Sequence, residues 1–200
     1  MSRSVGLILP LADNFEQHDA YIGVDKGSIH LLNKGIVPIL CVGDFDSCTK
    51  SEVEQIKQAC PMMLSYPSEK DDTDTSLAIQ ETIKQGYDTI VLYGGLQGRF
   101  DHTLANFNLL YHYDSLILMD SLNKVIKLKK GCHQLLSEGY TYLSFFFYQD
   151  THLSLKGVKY PLNHQLLKAY DSLAISNQFI ENKAYIECDQ DIICIMSKDE

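Results

Sequence analysis

Near residue 121 the chain changes rhythm. Before it, short apolar runs (VGLILP, YIGVD, IVPILCVGD, TIVLYGG and SLILMD) alternate with polar segments of helical period. Strands that alternate with helices point to a mostly parallel sheet, because a parallel pair needs a long crossover and a helix supplies it. After it, β-like runs follow one another closely: KVIKLKK, TYLSFFFY, THLSLKG, SLAISNQFI, KAYIECD and DIICIMS, with Gly, Asn and Asp turn signals between them. The expected architecture is an α/β domain over residues 1–121 followed by an all-β domain over residues 122–200.

Two helices are legible in the first domain. One starts in the polar cluster Asp71 to Thr75 and runs through Leu77, Ala78, Ile79 and Ile83 to Gly86, opened by aspartate and threonine and stopped by glycine. The other starts near Asp101, behind a glycine-rich turn, and spaces Leu104, Phe107, Leu110 and Tyr111 three and four apart.

Composition mainly excludes. With 200 residues, 45% of them hydrophobic, the chain can bury a real core. A formal net charge of -9 with scattered lysine and arginine offers no footprint for long nucleic acids. No segment is long and apolar enough for a membrane span or a signal peptide. Six cysteines without a C-x-x-C pair read as reduced, buried thiols, and the expected location is the cytoplasm.

Three polar segments could carry chemistry. In ILCVGDFDS an apolar strand runs out into Gly43, Asp44, Phe45, Asp46 and Ser47, with two carboxylates two residues apart at the strand end, where α/β enzymes bind ligands. Carboxylates about 4 Å apart repel by roughly 4 kcal/mol at an effective dielectric near 20, so the pair calls for a cation or a shared proton. Magnesium meets that demand. A plain turn would also use Asp and Ser, but it would not need the second acidic cluster, Lys70-Asp71-Asp72-Thr73-Asp74, at a helix start. Capping accounts for one acid there; metal coordination accounts for several.

The third segment runs from Gly94 and Gly95 through Gln97, Gly98, Arg99, Asp101 and His102 to Asn106. Glycines that admit close backbone approach, an arginine fork, a carboxylate and an imidazole are parts for handling phosphate. Asn106 follows His102 by one helical turn, so both could project to the side where Arg99 binds. No G-x-x-x-x-G-K-[ST] loop and no protein-kinase signature is present, so the phosphates must be held another way. A magnesium-dependent phosphohydrolase would use the same kit.

In this order, Asp25-Lys26-Gly27, GDFDS, KDDTD and GGLQGRFDHTLAN resemble the thiamine pyrophosphokinase family, and LSLKGVKYPL and ISNQF carry the resemblance into the β-rich half. GDFDS combined with GRFDH is the specific part; DKG or SN alone is common. The resemblance implies a homodimer of two-domain subunits, each an α/β catalytic domain with a C-terminal β-sandwich, and active sites at the subunit interface. It implies that ATP and thiamine give AMP and thiamine diphosphate. Magnesium would be held by Asp44, Asp46, Asp71 and Asp74. Arg99 would neutralise the triphosphate, and Asp101 or His102 would orient or deprotonate the thiamine hydroxyl. Asp25, Gly27, Gly43, Ser47, Gly95, Gln97, Gly98 and Asn106 would shape the nucleotide pocket. On the thiamine side, Tyr160 would stack on a ring, where some relatives place tryptophan, and Ser176 and Asn177 would hydrogen-bond the aminopyrimidine.

Overall fold

The structure, a computed structural model, describes residues 3–66 and 72–199. The chain parts into two compact units, Met1–Asp120 and Ser121–Glu200.

In the first unit β1 (Ser4–Ile8), β2 (Ala20–Val24), β3 (Leu40–Gly43), β4 (Met63–Ser65), β5 (Thr89–Tyr93) and β6 (Leu116–Met119) lie in the order β6-β5-β1-β2-β3-β4. Every neighbouring pair is parallel. Val5, Leu7, Ile22, Leu40, Val42, Ile90, Leu92 and Leu118 are buried, which is why these strands read as continuous apolar runs rather than as alternation. The chain steps outward from β1 to β4, then returns to lay β5 on the other side of β1, so the direction of winding reverses between β1 and β5. The carboxyl ends of strands flanking such a reversal form the natural crevice of an open α/β sheet.

Four helices serve this sheet: α1 (Gly27–Asn33), α2 (Lys50–Ala59), α3 (Asp74–Lys84) and α4 (Phe100–His112). Helix α2 starts in a capping box, Thr49 accepting from the Glu52 amide while Glu52 accepts from the Thr49 amide. Thr73 caps α3 by accepting from Ser76 N at 3.1 Å. On α4 the three-and-four apolar stripe is only partly a core face. Leu110 is buried, but Leu104 is 48% exposed and Phe100, just before the stripe, 72%.

The second unit is a sandwich of two antiparallel sheets. Strands β7 (Asn123–Leu128), β9 (Tyr142–Phe146), β12 (Asn177–Gln178) and β14 (Ile192–Ser197) form one, in the order β12-β9-β14-β7. Strands β8 (Gly131–Leu136), β10 (Thr151–Lys156), β11 (Leu162–Leu167) and β13 (Lys183–Cys188) form the other, in the order β11-β10-β13-β8. Their inner faces share one apolar cluster that includes Leu143, Phe145, Leu153, Leu155, Leu167 and Ile186. The run Ser172 to Ile180, expected as a strand, pairs as a strand only at Asn177 and Gln178, beside an isolated bridge from Phe179 to Val158. Ser176 adopts φ +59, a left-handed turn that interrupts extended backbone.

Among the described residues no helix is long and apolar enough to cross a membrane.

Candidate active site

The GDFDS loop is built around its middle residue. Phe45 is buried against Ile29, Cys41, Ile56 and Cys60, so the loop is pinned by a hydrophobic side chain while Asp44 and Asp46 are left on its polar side. Phe45 takes φ +58, and Asp46 N donates to Asp44 Oδ1 at 3.0 Å, closing a tight turn. The loop is also tied to the end of β2. Asp25, itself at φ +47, accepts from Phe45 N at 3.3 Å through Oδ1, and its own amide donates to Val42 O at 2.9 Å. Two non-glycine residues in left-handed backbone within one loop pair is the kind of strain that accumulates where geometry serves a ligand. Gly43 is required here: at φ +150, a Cβ would overlap Asp25 Oδ1 and lie 2.7 Å from its Cγ.

A cavity of about 260 Å³ opens at Asp25, lined by Leu9 and Pro10 after β1, Val24 and Asp25 at the end of β2, Asp72 to Thr75 at the entry of α3, and His102 in the first turn of α4; Asp44 and Asp46 are not among its lining residues. Asp25, Asp74 and His102 thus line one cavity at the carboxyl ends of the central strands, from three separate stretches of sequence. Lys70 and Asp71 lie outside the described residues. Asp72 is committed to the helix, accepting from Ser76 Oγ at 3.2 Å and from Gln80 Nε2 at 3.4 Å. A larger hollow of about 400 Å³, bordered by Cys132, Ser154, Lys156, Tyr185 and Glu187, sits on the sandwich and contains none of the motif residues.

Arg99 and Asp101 form a two-pronged ion pair, Nη2 to Oδ2 at 2.6 Å and Nε to Oδ1 at 3.2 Å, both side chains exposed. The Arg99 hydrogen bond holds the Asp101 carboxyl below its ordinary range. A carboxylate stabilised in this way is a weak base, which favours orientation over proton abstraction. The glycine loop is held from below: Asn106, buried, donates Nδ2 to Gly95 O at 3.0 Å. It therefore does not project beside the exposed His102, as its spacing suggested, but fixes the loop. Gly27 opens α1 under β1, where a Cβ would collide with Ile8 O. Ser47, Gln97 and Gly98 are exposed.

The described residues bring no three acidic, histidine or cysteine side chains together as a closed metal cage. Magnesium does not need one. It is commonly held by one or two carboxylates with phosphate oxygens and water completing the shell, and an all-oxygen donor set of aspartates suits that hard cation.

In the sandwich unit, Tyr160 is 58% exposed in the stretch between β10 and β11. Ser176 is exposed and Asn177 buried. The Asn177 carboxamide is turned inward, accepting from Tyr160 N at 3.0 Å and donating to Tyr160 O at 2.8 Å. Sequence reasoning did not separate the two members of this pair; only the sign of φ at Ser176 does.

Known proteins can now be set beside this geometry. Residues 11–120 match the family profile described as thiamin pyrophosphokinase, catalytic domain, and residues 126–193 match that of the vitamin B1 binding domain. A thiamine pyrophosphokinase from Bacillus subtilis (strain 168) is 38% identical over 184 residues, 88% of this chain and 86% of that protein. Among solved structures, a thiamin pyrophosphokinase family protein from Enterococcus faecalis superposes with a TM-score of 0.91 at 30% identity, covering 100% of both chains. The thiamin pyrophosphokinase from Geobacillus thermodenitrificans superposes with a TM-score of 0.87 at 28% identity, over 98% of each chain. With both halves matched by its domain profiles and a thiamine pyrophosphokinase 38% identical over most of both chains, the chain belongs to the thiamin pyrophosphokinase family.

Proposed function

We propose that this chain transfers the pyrophosphoryl group of ATP to the hydroxyl of thiamine, giving thiamine diphosphate and AMP. The observation that carries the reading is the cavity lined by Asp25, Asp74 and His102, in a chain whose two halves match the catalytic and the vitamin-binding domains of one family.

The thiamine oxygen attacks the β-phosphorus in line. A new O–P bond forms, the bond from that phosphorus to the oxygen bridging it to the α-phosphate breaks, AMP departs, and the hydroxyl proton is lost. Such a transfer asks for positioning and charge neutralisation more than for covalent help. Asp44, Asp46, Asp71 and Asp74 would hold magnesium, directly or through water, and magnesium bound there would neutralise charge on the phosphate oxygens. Asp25 and Gly43 set the position of the carboxylate loop, Asn106 sets that of the Gly94 to Gly98 loop, and Arg99 neutralises the triphosphate. Asp101 and His102 orient the thiamine hydroxyl, and Tyr160 and Ser176 meet thiamine.

The working form is a homodimer with active sites at the subunit interface. Large apolar side chains left exposed support it: Phe100 and Leu104 on α4, and Tyr148, Tyr170, Leu173 and Ile180 in the sandwich unit. The six free cysteines, mostly buried, suit a reducing compartment such as the cytoplasm.

The deciding assay incubates the purified protein with ATP, magnesium and thiamine and resolves nucleotide and thiamine species together. AMP rising in step with thiamine diphosphate is the expected result. ADP with thiamine monophosphate would make it an ordinary kinase, and nucleotide breakdown indifferent to thiamine would make it a phosphohydrolase.

A further inference from the structure

Tyr160 presents an unusual combination. It sits in a stretch without regular structure and its side chain faces solvent, yet its backbone is held on both sides by one buried side chain. Asn177, 4% exposed, accepts from Tyr160 N at 3.0 Å and donates to Tyr160 O at 2.8 Å. The same Oδ1 accepts from Gln178 N at 2.9 Å, so both of its lone pairs and one of the two Nδ2 hydrogens are used within the protein.

The neighbours extend the clamp. Lys159 N donates to Gln178 O at 2.9 Å, Lys159 Nζ reaches Gln178 Oε1 at 3.2 Å, and Val158 bridges Phe179. Ser176 is what turns Asn177 inward: its left-handed backbone is anchored by its amide donating to Ser144 Oγ at 3.0 Å. Pro161 follows Tyr160 and restricts it further. An exposed aromatic held at its own backbone has only its two side-chain torsions left to order, and that is the property that makes tyrosine a good contact surface.

We infer that Asn177 is a positioning residue: it fixes Tyr160 so that the exposed phenol ring is pre-organised as a platform for the ring system of thiamine, and it makes no contact with the substrate itself. This deepens the thiamine pyrophosphokinase reading and rests on it.

A double-mutant cycle on thiamine KM separates this role from a direct contact. Tyr160→Ala and Asn177→Ala each raise thiamine KM, by roughly three- to tenfold for the loss of an aromatic stack, with ATP KM and saturated kcat unmoved. The double variant is no worse than Tyr160→Ala, because a residue acting through Tyr160 has nothing to act on once the ring is gone. The chain has no tryptophan, so Tyr160→Trp installs a single indole whose emission reports thiamine binding without turnover. Adding Asn177→Ala to it shifts the thiamine titration to higher concentration by the same factor. If Asn177→Ala does not fold, Asn177→Ser leaves a neutral polar group in the site that is too short to span both Tyr160 N and Tyr160 O, and gives the same pattern.

Additive effects in the cycle overturn the inference, as does a raised thiamine KM for Asn177→Ala when Tyr160→Ala has none, since Asn177 would then touch substrate. Unchanged thiamine KM in both single variants also overturns it. Absence of thiamine turnover in the unmodified protein defeats the functional reading instead. The indole titration then decides whether the platform binds thiamine without reaction, and no response there removes the inference too.

Discussion

Replacing Gly43 by alanine tests the central joint of the site. The added Cβ would overlap Asp25 Oδ1 and lie 3.2 Å from Asp25 N, at a backbone φ of +150. Holding an L-residue in that region costs about 1–3 kcal/mol. Expelling the Asp25 carboxylate also forfeits its bond from Phe45 N, 3.3 Å long and therefore at the weak end of the roughly 1.5–3 kcal/mol typical of hydrogen bonds to charged groups. The sum is ~2.5–4.5 kcal/mol, equivalent to a fall in Tm of about 5–18 °C for a chain of this size. The informative comparison is a cycle of Gly43→Ala, Asp25→Ala and the double variant by thermal and urea unfolding. Because the clash needs the carboxylate, the double variant should be more stable than the two single losses added together, by about 1–2 kcal/mol. Strict additivity, or a Gly43→Ala protein within about 0.5 kcal/mol of the parent, would refute the close approach on which the loop argument depends.

Asp46→Asn should remove at least ~100-fold of turnover while moving Tm by less than about 2 °C, since Asp46 is exposed and only an anionic oxygen is lost; unchanged kcat at low magnesium would end its metal role. Arg99→Met should lower kcat by about 100-fold or more and release the Asp101 carboxyl toward its ordinary, higher pKa. The native pair contributes stability above the ordinary carboxylate range and loses it as pH falls through the lowered Asp101 pKa, so in the variant that acid-side loss of stability should vanish, while the acid limb of the activity profile should move to higher pH. Thr49→Ala should destabilise α2 by about 1 kcal/mol through loss of the capping box, read by urea unfolding, with kinetic constants unaltered.

The order of chemistry along the chain was open to sequence reasoning because each motif is local. Gly43 to Ser47 must follow an apolar strand, Asp72 to Thr75 must open a helix, and Gly94 to Asp101 must link a strand to a helix, all readable from hydrophobic rhythm and turn chemistry. Strands β8 and β11, carrying polar and exposed side chains on a single-sided sheet, left no such signal, and three-residue β4 was too short to leave one. Helix α2 announced itself only through Thr49 and Glu52, three residues apart, a pattern too common to stand alone.

What the sequence by itself determined is the class of each half, a mostly parallel α/β sheet and an all-β unit, and the inventory of aspartates, arginine and glycines. Periodicity and short motifs record whatever depends on neighbours along the chain. Which polar side chain is left exposed and which is spent inside the protein depends on neighbours through space, and only the tertiary structure decided it. Asn106 looked like a companion of His102 and instead holds Gly95. Asn177 looked like a partner of Ser176 and instead holds Tyr160. Asp25 and Phe45, twenty residues apart, share one hydrogen bond that sets the carboxylate loop. Each is a buried or half-buried polar group satisfied by a distant backbone atom, and burying a polar group requires such a partner without fixing where in the sequence that partner lies.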